Sequence, residues 1–411
     1  MNYKPLFSDF IGQLGDHLHF AAHSHHLWPN VAKVGQLRYW QLAEKMRDRK
    51  WDEIFGNEIP KAQKHISSIL NWPYHEQIAF APNTHEFVVR LLSSLNWQQL
   101  KKGKKLKVLT TDSEFHSFTR QILRMEEEKV LDVTRISTEP FETFETRFLE
   151  AAKKQYDLVF FSQVFFNSGY VVQNLKKIVD SVNAPETLIV IDGYHGFMAI
   201  PTDLALLSNR VFYLSGGYKY AMSGEGVCFL CIPKGCSHRP INTGWFAGFG
   251  SLSEGPEEKV SYSNDAFRYW GSTFDPSGVY RFNAVMEEID KEKITVEMIH
   301  QYVKGLQSQF LSELLKYQPK KLPFQTIIPA LPKDSSKTAS GEIIDFNLVQ
   351  LEKSYRGHFI TFDLEHAEEV EKRLSELKVE IDRRGRRLRF GFGIYQDNND
   401  ISNLMERLKQ L

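Results

Sequence analysis

Cysteine is scarce in this chain: Cys228, Cys231 and Cys236 fall within nine positions of one another, and no cysteine follows Cys236 in 411 residues. An odd, clustered set argues against a disulfide framework. With no apolar leader core near Met1 to Pro5, it is the usage expected of a reducing, cytoplasmic setting. Net charge is lacking too, because 51 basic and 51 acidic residues cancel, which leaves no global field to gather nucleic acid or to hold the chain on an anionic membrane. No apolar stretch approaches the ~20 residues that a membrane helix needs, and no repeat is visible. His23, His25 and His26 come without a thiol or carboxylate at ligand spacing, so no metal is expected and an active-site wall is the better reading. Small neutral or zwitterionic ligands remain.

What is abundant is material for a core. Hydrophobic residues make up 42% and aromatics 13%, enough at this length for two packed domains. Short apolar runs alternate with amphipathic stretches between residues 75 and 235. The pattern predicts strands at 78–81, 107–111, 133–136, 158–162, 188–192, 211–214 and 227–232, and helices at 86–95, 118–127, 144–155 and 175–182. Continuous rather than alternating hydrophobicity points to an α/β fold with a mostly parallel sheet covered on both faces, a type that binds ligands at the carboxyl ends of its strands. Helical spacing of Val296, Ile299, Val303, Leu306, Phe310 and Leu314, then strand and helix signals from Phe359 to the end, predict a smaller α+β domain. The expected division is a large domain over 18–284 and a small one over 285–411 joined by residues 1–17. The polar stretch Pro332 to Gly341 reads as an exposed loop.

Lys219 carries the chemistry. It follows an apolar strand and the turn Ser215-Gly216-Gly217-Tyr218, 27 positions beyond Asp192 at the end of another buried run. A lysine amine can form a Schiff base with an aldehyde, and a buried carboxylate can hold a pyridine nitrogen protonated, the pair that pyridoxal phosphate chemistry requires. Alone, Asp192 also reads as a turn cap, His195 as a satisfied core histidine and Lys219 as a solvated surface group. Around them, Asn83-Thr84-His85 opens a helix after the first strand and suits a phosphate or an ordinary cap. Phe115 or His116 follows the second strand and could lie on a flat ring. Tyr218 can deliver a proton. Among the clustered arginines 383, 384, 386, 387 and 389, Arg389 begins a strand where its fork could grip a carboxylate.

In this order the segments resemble the class V aminotransferase family of fold-type I pyridoxal phosphate enzymes, and within it kynureninase. Tyr218-Lys219-Tyr220-Ala221-Met222-Ser223-Gly224-Glu225-Gly226 is similar to that enzyme's Tyr-Lys-Tyr-Leu-Asn-Gly-Gly-Pro-Gly; Asp192 to His195 fits Asp-x-x-His; Ser162 to Gly169 is similar to Ser-His-Val-Asn-Tyr-x-Thr-Gly. Gly244-Trp245, Arg356-Gly357-His358 and the set Asp382, Arg384, Arg389, Gly391 and Tyr395 extend the likeness over about residues 18 to 411. The resemblance implies a Schiff base at Lys219, Asp192 on the ring nitrogen with His195 orienting it or the ring, Phe115 stacked on the ring, and Thr84, His85 and Tyr218 at the phosphate. Trp245, Ser272 and Thr273 would serve the site across a homodimer. Arg389 would bind the substrate carboxylate, and His23 and Ser24 would border the substrate.

The chain departs from the pattern at Met222 and Glu225, at Ala22 to His26 and in the phosphate turn, so the cofactor is better specified than the substrate. A persulfide-forming desulfurase is disfavoured by the lack of a carboxyl-terminal cysteine. The leading expectation is hydrolytic Cβ–Cγ cleavage of a kynurenine-type amino acid to an anthranilate-type product and L-alanine. A class V aminotransferase or another pyridoxal phosphate lyase is the alternative, and a non-catalytic binding module is the reading from a different class.

Overall fold

A computed structural model describes residues 2–251, 259–317, 355–364 and 366–411. Its strands are β1 (Leu18–His19), β2 (Ile78–Ala81), β3 (Leu106–Thr111), β4 (Leu131–Ile136), β5 (Leu158–Ser162), β6 (Leu188–Asp192), β7 (Val211–Gly216), β8 (Cys228–Cys231), β9 (Phe359–Asp363), β10 (Val379–Glu380), β11 (Asp382–Arg384) and β12 (Arg387–Gly391). Seven of them form one sheet in the order β2-β8-β7-β6-β5-β3-β4. β8 runs antiparallel to both neighbours, while the pairs from β7 through β4 are parallel. The mostly parallel sheet read from continuous hydrophobicity is therefore present. Every residue of β5, β6 and β7 is buried, as helices on both faces require.

The crossover helices Thr84–Ser93, His116–Glu127, Phe141–Ala152 and Leu175–Ser181 fall within three residues of the predicted starts. They pin aromatic side chains onto the sheet, as where Phe118 stacks on Phe160 of β5 with ring centroids 3.7 Å apart. Each fully buried side chain of this size contributes about 1.5–3 kcal/mol.

Sequence pattern did not find the helix Val31–Met46, and its packing explains why. It lies along Ser277–Lys291 with Gly35 at the contact, where even a Cβ would stand 2.9 Å from the Arg281 Cα. Close approach through small residues leaves no apolar stripe to read. Ser277–Lys291 is buried continuously from Ser277 to Met286. The expected division after residue 284 falls inside this continuous helix.

The carboxyl-terminal part contains the helix Val296–Tyr317, the antiparallel sheet β11-β12-β9, and the helices Ala367–Glu376 and Asn398–Leu408. The amino-terminal segment docks on it: β1 pairs in parallel with β10, and Gly391 N–H donates to the Phe20 carbonyl at 2.6 Å. The loop expected at 332–341 lies outside the described residues. Among those described, no helix is long and apolar enough to cross a membrane.

Candidate active site

The carboxyl ends of the sheet strands converge on a cavity of about 340 Å³. β2 delivers Thr84 and His85, β3 Phe115, β5 Ser162 and Phe166, β6 Asp192 and His195, and β7 Tyr218 and Lys219. Seven residues singled out in the sequence thus share one wall, although they span 136 positions from Thr84 to Lys219.

Lys219 is buried, with Nζ 2.7 Å from His195 Nε2, 5.4 Å from the Phe115 ring centroid and 5.2 Å from that of Tyr194. Burial, then the Arg389 charge, push its amine well below the ordinary lysine range, against the opposing pull of Asp192. His195 Nε2 also lies 3.2 Å from the His23 carbonyl oxygen, which can only accept. With the proton on Nε2 the imidazole donates to the His23 carbonyl or to the lone pair of a neutral amine; with the other tautomer the amine donates to Nε2. Burial keeps His195 neutral in both cases. Its ring therefore meets Lys219, whereas no hydrogen bond joins it to Asp192 among the described residues.

Asp192 is buried and accepts one bond, from the Tyr194 N–H to Oδ1 at 2.9 Å. Its carboxylate lines the cavity and its pKa is raised, first by burial. A buried carboxylate with a free oxygen asks for a cation. At the other end, the Asn83 side chain caps the helix Thr84–Ser93 by accepting from Glu86 N at 3.1 Å. The first two N–H groups of that helix, those of Thr84 and His85, have no partner among the described residues, so the turn is a cap and an anion cradle at once. Donors for a phosphate, a carboxylate for a pyridinium and a neutral amine for an aldehyde stand around one space lined by the Phe115 ring. The residues present fit pyridoxal phosphate.

Other expected residues lie outside the cavity wall. Arg389 is buried behind Phe166, its Cζ 5.8 Å from that ring; it pairs with Asp382 and donates to the Phe166 carbonyl, and its Nε is buried without a partner. Its four neighbours form outlying ion pairs, Arg383 with Glu371, Arg384 with Asp382, Arg386 with Asp363 and Arg387 with Glu139. His23 is fully buried, stacked on Phe359 at 4.7 Å, and neither it nor the half-buried Ser24 lines the cavity. Trp245 is 47% exposed, and Ser272 and Thr273 are exposed as well, away from this wall.

Several wall residues were not assigned from sequence. Tyr194 sits inside the Asp192 to His195 motif, and its hydroxyl meets Cys228 Sγ at 3.2 Å. Phe166 and Ser162 lie in the quoted segment 162–169. Behind the wall, Glu114, 3% exposed beside Phe115, accepts from Thr111 Oγ1 and Ser162 Oγ, and burial lifts its pKa to about 7. Their signal was position in a motif, but their direction is set by strand register. The departure at Met222 also has a local reading: its φ is 56°, a left-handed conformation that asparagine, the residue of the family pattern, adopts more readily.

Comparison with known proteins bears on the same residues. The Aminotransferase class-V family model matches residues 48–404. No curated protein matches the chain in sequence. Among solved structures, a C-DES mutant with glycine covalently linked to its PLP cofactor superposes with a TM-score of 0.77 at 15% identity, covering 99% of each chain. The apo cysteine desulfurase of Thermococcus onnurineus NA1 gives 0.74 at 16%, covering 100% of this chain and 99% of that one. The cystine C–S lyase C-DES with its product cysteine persulfide gives 0.75 at 15%, covering 97% and 98%. At such identities the structures speak for the fold. The family match extends across the lysine, the carboxylate and the phosphate turn, and the chain belongs to the class-V aminotransferase family, whose cofactor is pyridoxal phosphate.

Proposed function

We propose that this protein removes the Cα proton of an L-amino acid and cleaves the side chain hydrolytically at the Cβ–Cγ bond, in the manner of kynureninase. One observation carries the reading: a depressed lysine amine, a buried carboxylate and a tyrosine that keeps its proton line the same cavity. When bound, the cofactor supplies a sink for the charge left on Cα.

The chain's own groups divide the remaining work. Lys219, its amine depressed by burial, takes and returns the Cα proton. Asp192 holds the ring nitrogen, Thr84 and His85 the phosphate, and Phe115 covers one face. Burial and then the Glu225 charge raise the Tyr218 pKa, so its hydroxyl stays protonated and can supply the proton that ends the cleavage. Arg389, whose Nε has no partner, orients the substrate carboxylate. Transfer of sulfur to an enzyme thiol finds no support here. Cys228, which lines the cavity, is pushed to about 11 by burial and lies against Tyr194 and Thr84, and no cysteine follows Cys236.

The active unit is a homodimer in this reading. The exposed Trp245, Ser272 and Thr273, which do not line the cavity that holds Lys219, are the residues a second copy would use. Borohydride reduction of the holoenzyme with peptide mapping should label Lys219, and L-kynurenine should yield fluorescent anthranilate and alanine. Label on another lysine would refute the site. Keto-acid-dependent exchange without bond cleavage would replace the hydrolase with an aminotransferase.

A further inference from the structure

Glu114 is a buried ionisable group, hydrogen-bonded to the cavity residue Ser162, to which the proposed reaction gives no task. Its Oε1 accepts from Thr111 Oγ1 at 2.6 Å and from the Ser162 N–H at 3.2 Å, and its Oε2 accepts from Ser162 Oγ at 2.5 Å. Ser162 pairs with Asp192 in the register of β5 and β6, and both side chains line the cavity. A serine hydroxyl has a single proton. Glu114 takes it, so Ser162 turns only lone pairs toward the cavity. Asp192 has its Tyr194 N–H on one oxygen and presents only acceptor capacity on the other.

We propose that Glu114 is a positioning residue for the cofactor: acting through Ser162, it fixes an acceptor beside Asp192 and keeps the serine proton from satisfying that carboxylate. This rests on the pyridoxal phosphate reading of the cavity. Two neighbouring acceptors at adjacent strand ends complement a protonated pyridine ring. A hydroxyl free to rotate would instead donate to Asp192 and compete with the ring nitrogen for it. The network spans three strands, since Glu114 follows β3, Ser162 ends β5 and Asp192 ends β6. Ser162 and Asp192 are held by the sheet, and Glu114, in the turn after β3, is anchored to it by Thr111 and Ser162.

The test uses isosteric Glu114→Gln, Ser162→Ala and the double variant in the full-length protein, with pyridoxal phosphate dissociation constants measured by absorbance titration at about pH 8, where a carboxyl with the Glu114 value is ionised. In Glu114→Gln, the amide oxygen can keep Thr111 and the Ser162 N–H while the amide NH2 donates to Ser162 Oγ, which turns the serine proton toward Asp192. The expected result is roughly tenfold weaker cofactor retention and a shifted absorption maximum of the bound cofactor. Ser162→Ala should weaken retention about threefold, and the double variant should be no worse than Ser162→Ala, because in this proposal Glu114 acts through Ser162. Retention within twofold of wild type in Glu114→Gln, or an equal loss from Glu114→Gln in the Ser162→Ala background, overturns the proposal. Unchanged retention in Ser162→Ala, which leaves Glu114 in place, overturns it independently of how Glu114→Gln folds. Failure of the wild-type protein to take up pyridoxal phosphate would refute the functional reading as well, so the two failures are distinguishable.

Discussion

Replacing Arg389 by alanine separates substrate binding from cofactor binding. Two of the guanidinium's nitrogens are committed, Nη1 to the Phe166 carbonyl and Nη2 to Asp382, while Nε is buried and unsatisfied. Loss of a charge-assisted bond to a substrate carboxylate costs about 1.5–3 kcal/mol, which is roughly a 10- to 150-fold rise in the substrate dissociation constant. Removing a buried cation ordinarily strands its partner, but Asp382 also accepts from Arg384 Nη1 at 2.6 Å, so the carboxylate keeps an ion pair. The cofactor touches none of these groups in the proposed arrangement, and its dissociation constant should stay within about twofold. Absorbance titration with pyridoxal phosphate, then with amino acid on the loaded enzyme, measures both constants. Parallel loss of the two would refute the carboxylate role and mark Arg389 as a structural brace between Asp382 and Phe166.

Three further outcomes are expected. Burial depresses His19 to about 4 and His26 to about 3, so between those values and 6.5 the unfolded chain binds protons that the folded chain refuses. Stability then falls with falling pH, by about 2 kcal/mol per histidine at pH 5. Urea denaturation should show that slope, and His19→Gln should reduce it; an unchanged slope would remove His19 from the account. Gly391→Ala would place a Cβ 2.8 Å from the backbone nitrogens of Ala22 and His23 and against His23 Nδ1, so a loss of about 1–3 kcal/mol is expected, and an unchanged denaturation midpoint would contradict that close approach. Mixing Lys219→Ala with a Ser272→Ala, Thr273→Ala double variant should restore about a quarter of wild-type activity if sites are shared across a two-fold dimer; no recovery after subunit exchange would place Ser272 and Thr273 outside the partner's site.

How much of this was legible in the sequence follows from what each residue's role depends on. β5 and β6 were readable because a strand covered on both faces is apolar at every position. Lys219, Asp192, Thr84 and Phe115 were readable because each follows such a strand, and parallel strands bring their carboxyl ends to one side. Val31–Met46 was not, since its contact is made through Gly35 and the backbone of Ser277–Lys291. Glu114 and Ser162 were not because their meaning lies in register: Ser162 matters by standing level with Asp192, 30 positions away in sequence.

The same distinction governs the electrostatics. Lys219, read alone, is a cation, and Asp192, read alone, is an anion. Burial disfavours both charges, and Arg389 adds to the pressure on the amine without being near it in sequence. A direct ion pair between them would have relieved that pressure by giving each the other's charge. Instead, His195 stands 2.7 Å from the amine, and the backbone of Tyr194 holds one oxygen of the carboxylate. The fold thus keeps the two groups on one cavity without letting them neutralise each other. That leaves a nucleophilic amine and an unsatisfied acid for a third party with an aldehyde at one place and a basic nitrogen at another.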